Sequence, residues 1–266
     1  MTAIPATTVA NLRDLGGTPL TGGRAVRPGL LFRSGQLDRL DPAADPAVAA
    51  LGIRTVVDFR TGAERHARPD RVPAGGRLLL ADVLADQVAS GRMPAAAQLR
   101  SVLADPVATE RELGGGRARK LFADTYRAFV TTESARNAYR AFLDELAGPE
   151  ALPLLCHCTA GKDRTGWAVT LVLTLLGATP QAVEAEYLSV NPAVRLAFAP
   201  LVEGFITQGG DPETALAVIG VLPEYLAAAL DEVDARFGTM EAYVRDGLGV
   251  PAASIEAIRT RLSAAA

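Results

Sequence analysis

The chain has 266 residues, 49% of them apolar and 21% charged, which is enough to bury a sizeable core as one large domain or two small ones. A formal net charge of −3 and the lack of any basic block argue against nucleic acid or an anionic membrane surface as a partner. The 25 glycines and 17 prolines follow no period, which excludes collagen-like and low-complexity architectures.

The first residues show no charged start, apolar run and cleavage site, so no signal peptide is expected. Apolar or β-branched runs predict buried strands at 30–32, 53–59 and 78–80, with a helix at 43–51 between the first two. The polar stretch 105–117, ending in Gly114-Gly115-Gly116, reads as a mobile loop. Helices are predicted at 119–130 and 134–147, a fourth buried strand at 152–157, and further helices at 166–176 and 180–188. Thr179 caps the last of these, with Pro180 in its first turn. Asp211-Pro212-Glu213 starts another helix. Leu226, Leu230, Val233 and Phe237 share one face of the next, which Gly238 stops and Thr239 follows with a new start. Strands interspersed with helices predict an α/β layer structure, expected as a single domain over 1–266. The longest apolar stretch, 167–178, is well short of the roughly 20 residues a membrane span needs, so a soluble protein is expected.

Cys156 and Cys158 lie two apart, a spacing poorly suited to a structural disulfide, which favours a reducing, cytoplasmic compartment. With only His66 and His157 besides, they form no usual zinc set, and neither a metal nor a cofactor is expected. Cys156, inside the apolar strand, reads as core, the alternative being an oxidation partner for Cys158.

The chemistry lies in 152–166, where an apolar strand enters a polar loop and then a strongly apolar helix. Successive amides of such a loop converge on an anion, and the helix adds unpaired N–H groups at the positive end of its dipole. A thiol there falls from a pKa of about 8.5 into the range of roughly 3.5–7.5, making Cys158 a nucleophile for phosphorus. Arg164 offers a planar fork to two phosphate oxygens, and Thr165 a hydroxyl to the departing sulfur. Gly161 permits positive φ or close approach of the ligand. The amides of 159–164, hence Thr159, Ala160, Gly161, Lys162 and Asp163, form the cradle, and His157 orients Cys158 by a hydrogen bond within the loop.

His157-Cys158, five residues, Arg164-Thr165 resembles the signature loop of the cysteine-dependent protein tyrosine phosphatases. With Asn-Leu-Arg-Asp-Leu-Gly-Gly at 11–17, Leu-Phe-Arg-Ser at 31–34 and Val-Asp-Phe-Arg-x3-Glu at 57–64, the chain is similar to the secreted mycobacterial tyrosine and dual-specificity group of bacterial enzymes. The resemblance implies a central, mostly parallel sheet flanked by helices, with the loop at a strand's C-terminal end and a helical lid. It also implies action on phosphotyrosine proteins, extending to phosphoserine, phosphothreonine or phosphoinositides, through a phosphocysteine. Lys162, one of only two lysines, would add a cation for a highly charged substrate.

The leaving group needs an acid. Asp163, placed in the loop as in the resembled group, is preferred over Asp82, which follows the third strand but lacks a Trp-Pro-Asp setting. Asp58, Arg60 and Glu64 read as an exposed strand-end ion pair rather than as substrate contacts, and Arg33 as either a salt bridge or the pocket rim. Two segments compete to cover the site, 83–117 and 191–220, the resemblance favouring the second; the alternative is a helical pair packed on the core. A rhodanese-like sulfurtransferase and a non-catalytic phosphate-binding module are the rival functions. The oligomeric state is not legible.

Overall fold

The computed structural model describes residues 2–91 and 99–265. In chain order its strands are β1 (Thr2–Ala3), β2 (Arg13–Asp14), β3 (Pro19–Leu20), β4 (Arg24–Val26), β5 (Leu31–Ser34), β6 (Thr55–Asp58), β7 (Arg77–Leu80), β8 (Leu154–His157) and β9 (Ser263–Ala265). The main sheet runs β1-β2-β5-β8-β6-β7, and the last four strands in that order are parallel to one another. β1 and β2 extend one edge in antiparallel fashion. A small sheet, β3-β4-β9, ties the end of the chain to its N-terminal part.

The register sets up the site. β8 lies between β5 and β6, with His157 level with Ser34 on one side and Asp58 on the other. Three strand ends therefore meet where the loop leaves β8, the C-terminal edge at which α/β sheets bind ligands. Leu154 and Cys156 join Val57 in the larger core, against the helices Asp163–Leu176, Arg117–Thr131 and Glu133–Ala147. Leu155 joins Phe32 and Val56 in a smaller core with Val9, Leu12, Leu37 and Leu40 on the opposite face. Burial on both faces is why β8 is apolar without alternation.

Three expectations need correction. The third predicted strand is not buried: β7 is the sheet edge, with Leu78 and Leu80 41% and 54% exposed. The stretch 105–117 is not a loop, since Pro106–Leu113 is helical and capped by Asp105, whose carboxylate accepts from Ala108 N at 3.0 Å. Its polarity reflects an exposed helix. The predicted helix 43–51 shrinks to one turn, Pro46–Ala49, because the chain leaves it for Gly52 at φ +62°. The first candidate cover, 83–117, includes residues 92–98, which lie outside the described residues. The second contains the helices Asn191–Thr207 and Pro212–Ile219 and is followed by the helix Pro223–Phe237. Among the described residues no single helix is long and apolar enough to cross a membrane.

Candidate active site

The loop after β8 is shaped from outside. Gln36 N donates to Thr159 O at 3.1 Å, and the Asn11 amide donates to Ala160 O and Gly161 O at 3.2 Å each. Arg33 Nη2 donates to Gly161 O at 2.6 Å, His157 Nδ1 lies 3.2 Å from Cys158 O, and Gly166 N closes onto Lys162 O at 2.7 Å. Every carbonyl from 158 to 162 is thus engaged. Across a planar trans peptide the next N–H points the opposite way, so the amides of 159–163 face the concave side of the loop. The helix Asp163–Leu176 starts there without a side-chain cap, leaving its first amides and its positive dipole end for an anion.

Gly161 has φ +68°, and a Cβ there would lie 2.2 Å from Ser34 O. The close approach is to the end of β5, not to a ligand. Asn11 sits at φ +57°, in the left-handed region that asparagine tolerates. Cys158 is 2% exposed, and Cys156, wholly buried on β8, has its thiol pushed up to about 12 by burial. The Thr165 hydroxyl is buried without a hydrogen-bond partner among the described residues.

Arg164 is buried and held by Glu64, Nη1 to Oε2 at 2.8 Å and Nη2 to Oε1 at 2.9 Å, with Thr159 Oγ1 3.3 Å from Nη2. Glu64 is fixed in turn by its capping box: Thr61 N donates to Oε2 at 2.8 Å and Thr61 Oγ1 accepts from Glu64 N. Burial alone would push the Glu64 carboxyl up, but the charge of Arg164 and hydrogen bonds from Arg164, Thr159 and Thr61 bring it down to about 2. Burial likewise opposes the charge on Arg164, and the Glu64 carboxylate more than offsets it. Arg33 resolves as a salt bridge, Nη1 lying 2.8 Å from both oxygens of Glu186.

Asp163 is buried, its Oδ1 accepting from Tyr126 Oη at 3.1 Å, while Tyr187 Oη donates to Tyr126 Oη at 2.8 Å. The Lys162 expectation is corrected. Its ammonium is turned inward, donating to Val218 O at 2.7 Å and Gly220 O at 3.1 Å, 3.4 Å from Asp163 Oδ2 and 4.9 Å from the centre of the Phe122 ring. Orphan carbonyls at the end of the helix Pro212–Ile219 hold it there, and burial pushes it down from the usual lysine range. Asp82 accepts from Gly62 N at 3.2 Å and Leu84 N at 3.0 Å, and burial pushes its carboxyl up against those bonds and against Arg65 and Arg164.

A second correction concerns Asp58 and Arg60, whose pair is fully buried rather than exposed. Arg60 Nη2 lies 2.9 Å from Asp58 and 2.8 Å from Asp70, and His157 Nε2 lies 3.0 Å from Asp70 Oδ2. Burial would raise Asp70, yet His157 and Arg60 hold it low. Asp58, Asp70 and His157 bring potential metal-ligand atoms within 4.8 Å of one another. The Arg60 guanidinium already bridges both carboxylates, so the trio reads as an ion-pair network.

A cleft of about 220 Å³ opens beside the loop, with Thr8, Asn11, Gln36, Arg39 and Arg68 on a polar side, Thr159 and Ala160 belonging to the loop, and Ala193, Val194, Ala197 and Phe198 of the helix Asn191–Thr207 on an apolar side. A profile described as the tyrosine phosphatase family matches residues 4–264. The chain belongs to the tyrosine phosphatase family. This phosphatase is 35% identical over 269 residues to the triple specificity protein phosphatase PtpB of Mycobacterium tuberculosis, covering 94% of the chain and 95% of that relative. A protein of Cupriavidus necator is 32% identical over 255 residues, covering 93% and 85%. A tyrosine-protein phosphatase of Nostoc commune is 25% identical over 260 residues, covering 93% and 79%. Family membership sets the sulfurtransferase alternative aside.

Several residues of this phosphatase's site were not legible as such. Asn11 and Gln36 tie down loop carbonyls, and Tyr126 reaches Asp163 with Tyr187, from a second helix, behind it. The Thr61-x-x-Glu64 box was a readable signal for the helix that carries Glu64, but nothing local names Arg164 as its partner. The tyrosines carry no signal, because buried aromatics at helical spacing look like core.

Proposed function

We propose that this phosphatase hydrolyses phosphate monoesters of proteins through a phosphocysteine on Cys158, with Arg164 and the amides of 159–164 as the phosphate cradle. The carrying observation is that donors from outside the loop engage the carbonyls of Thr159, Ala160 and Gly161 while Gly166 N takes that of Lys162, which leaves a curved row of amides around the nucleophile. The Cys158 thiolate attacks phosphorus in line as the ester oxygen leaves with a proton from Asp163. Water then attacks phosphorus and gives its proton to Asp163, phosphate departs, and the sulfur leaves beside the Thr165 hydroxyl.

Phosphotyrosine is the principal substrate class, since the cleft offers an apolar wall to an aryl ring and a polar wall to the peptide. The designation of the mycobacterial relative as triple specificity supports a wider range, including phosphoserine and phosphothreonine. Lys162 gives no support to phosphoinositides, its ammonium being tied to Val218 and Gly220. The helix Asn191–Thr207, as one wall of the cleft, acts as the cover of the site. A second reading of the acid rests on one observation: burial pushes Asp82 up, which favours the protonated form an acid needs.

Rapid acid quenching during turnover, followed by peptide mass analysis, finds phosphate on the peptide containing Cys158 and none in Cys158→Ser; a wild-type peptide without phosphate overturns the reading. Asp163→Asn loses turnover more steeply as the leaving group worsens from para-nitrophenyl to phenyl phosphate, by about 100-fold or more on the poorer one, whereas Asp82→Asn changes both alike. The reverse pattern assigns the acid to Asp82.

A further inference from the structure

Two phenols stand in series behind Asp163. Tyr187, on the helix Pro180–Leu188, donates to Tyr126, and Tyr126, on the helix Arg117–Thr131, donates to Asp163 Oδ1. The direction of this chain is fixed by proton count. An ionised carboxylate only accepts, so the single proton of Tyr126 goes to Asp163 and its oxygen lone pair takes the proton of Tyr187. The Tyr126 ring is locked by its neighbours, with ring centres 5.0 Å from Phe129, 5.9 Å from Tyr225 and 6.1 Å from Tyr187, the last edge-on.

The geometry points to Tyr126, backed by Tyr187, as a positioning residue for the acid/base Asp163: its hydrogen bond to Oδ1 fixes the plane of the carboxyl. This rests on the assignment of Asp163 proposed above. Tyr126 keeps its own proton throughout, and only the proton of Asp163 moves between leaving group and water. Burial and the neighbouring Asp163 carboxylate push both phenols well above the usual tyrosine range, so they remain donors at any pH where the enzyme works.

Other charges face the same carboxyl. Lys162 lies 3.4 Å from Oδ2, and Arg164 and Cys158 belong to the same loop. From the packed helices, Tyr139 and Tyr225 also feel the Asp163 charge. Neither phenol bonds to the carboxyl, Tyr139 Oη donating to Arg164 O and Tyr225 Oη to Ala217 O. Among the described residues, Lys162 and Tyr126 thus meet the carboxyl directly, one on each oxygen.

The test is the pH profile of kcat/KM with para-nitrophenyl phosphate and phenyl phosphate for wild type, Tyr126→Phe, Tyr187→Phe and Asp163→Asn. Tyr126→Phe removes the hydrogen bond that holds the carboxyl and displaces the alkaline limb by about half a unit or more. Tyr187→Phe moves it less, in the same direction, because it acts through Tyr126. Both variants keep the ring, and thermal unfolding together with vanadate affinity checks that fold and cradle are intact. A Tyr126→Phe limb at the wild-type position, with Asp163→Asn abolishing that limb, overturns the positioning role while leaving the acid assignment standing. An alkaline limb that survives in Asp163→Asn overturns both.

Discussion

At the scale of single residues, the lining of this site is determined by what sits behind it. Glu64 touches no substrate in the mechanism proposed, yet it grips both terminal nitrogens of Arg164 and fixes the plane of the guanidinium. Glu64→Gln keeps the shape, removes the charge, and is expected to lower kcat/KM by about 10- to 100-fold and stability by about 1–3 kcal/mol, read by steady-state kinetics and thermal melts. The pH sense follows from its depressed carboxyl. A group held near 2 against an ordinary value of 4.5 contributes stability that is complete above 4.5 and is lost as pH falls toward 2. The loss of melting temperature on acidification from about pH 5 to about pH 3 is therefore smaller in Glu64→Gln than in wild type; equal losses count against the pair. Lys162 teaches the converse. A lysine in an anion-binding loop invites a reading as a substrate contact, but the carbonyls that end the helix Pro212–Ile219 compete for it from more than fifty positions away and hold it.

At the scale of elements, periodicity and punctuation carried much of the fold. Helices predicted at 119–130, 134–147 and 180–188 lie at Arg117–Thr131, Glu133–Ala147 and Pro180–Leu188, because apolar spacing and the Thr179-Pro180 start are local signals. The short strands β1 to β4 and β9 were not legible, since two or three residues cannot show a period and their pairing is set by distant partners. The nucleophile loop was legible as a motif, while the donors that shape it were not, because Asn11, Arg33 and Gln36 come to it across more than 120 positions. The motif itself conceals one steric demand. Gly161 meets the end of β5 rather than a ligand, so Gly161→Ala combines left-handed strain of about 1–2 kcal/mol with a backbone clash against Ser34. Vanadate or phosphate affinity measured by calorimetry is expected to fall at least tenfold, and an unchanged value would show that the loop curls without needing glycine there.

For the molecule as a whole, the larger core continues from the sheet into the helix Asn191–Thr207, through Val194, Phe198 and Phe205. The same helix presents Val194 and Phe198 to the cleft beside the loop, so a single element joins stability to access. Cys158 is 2% exposed, and if the proposed cover is right its alkylation waits on this wall. Phe198→Ala is expected to speed iodoacetamide labelling of Cys158 several-fold while costing about 3 kcal/mol of stability; labelling at the wild-type rate would place the gate elsewhere. The outward anchoring of the loop carbonyls has a broader consequence. Because the donors reside on the N-terminal segment and on β5, a peptide spanning β8 and the following helix carries the signature residues but not the means to bend them. Loosening the N-terminal segment or the end of β5 is therefore expected to slacken the loop without touching any residue of the signature itself.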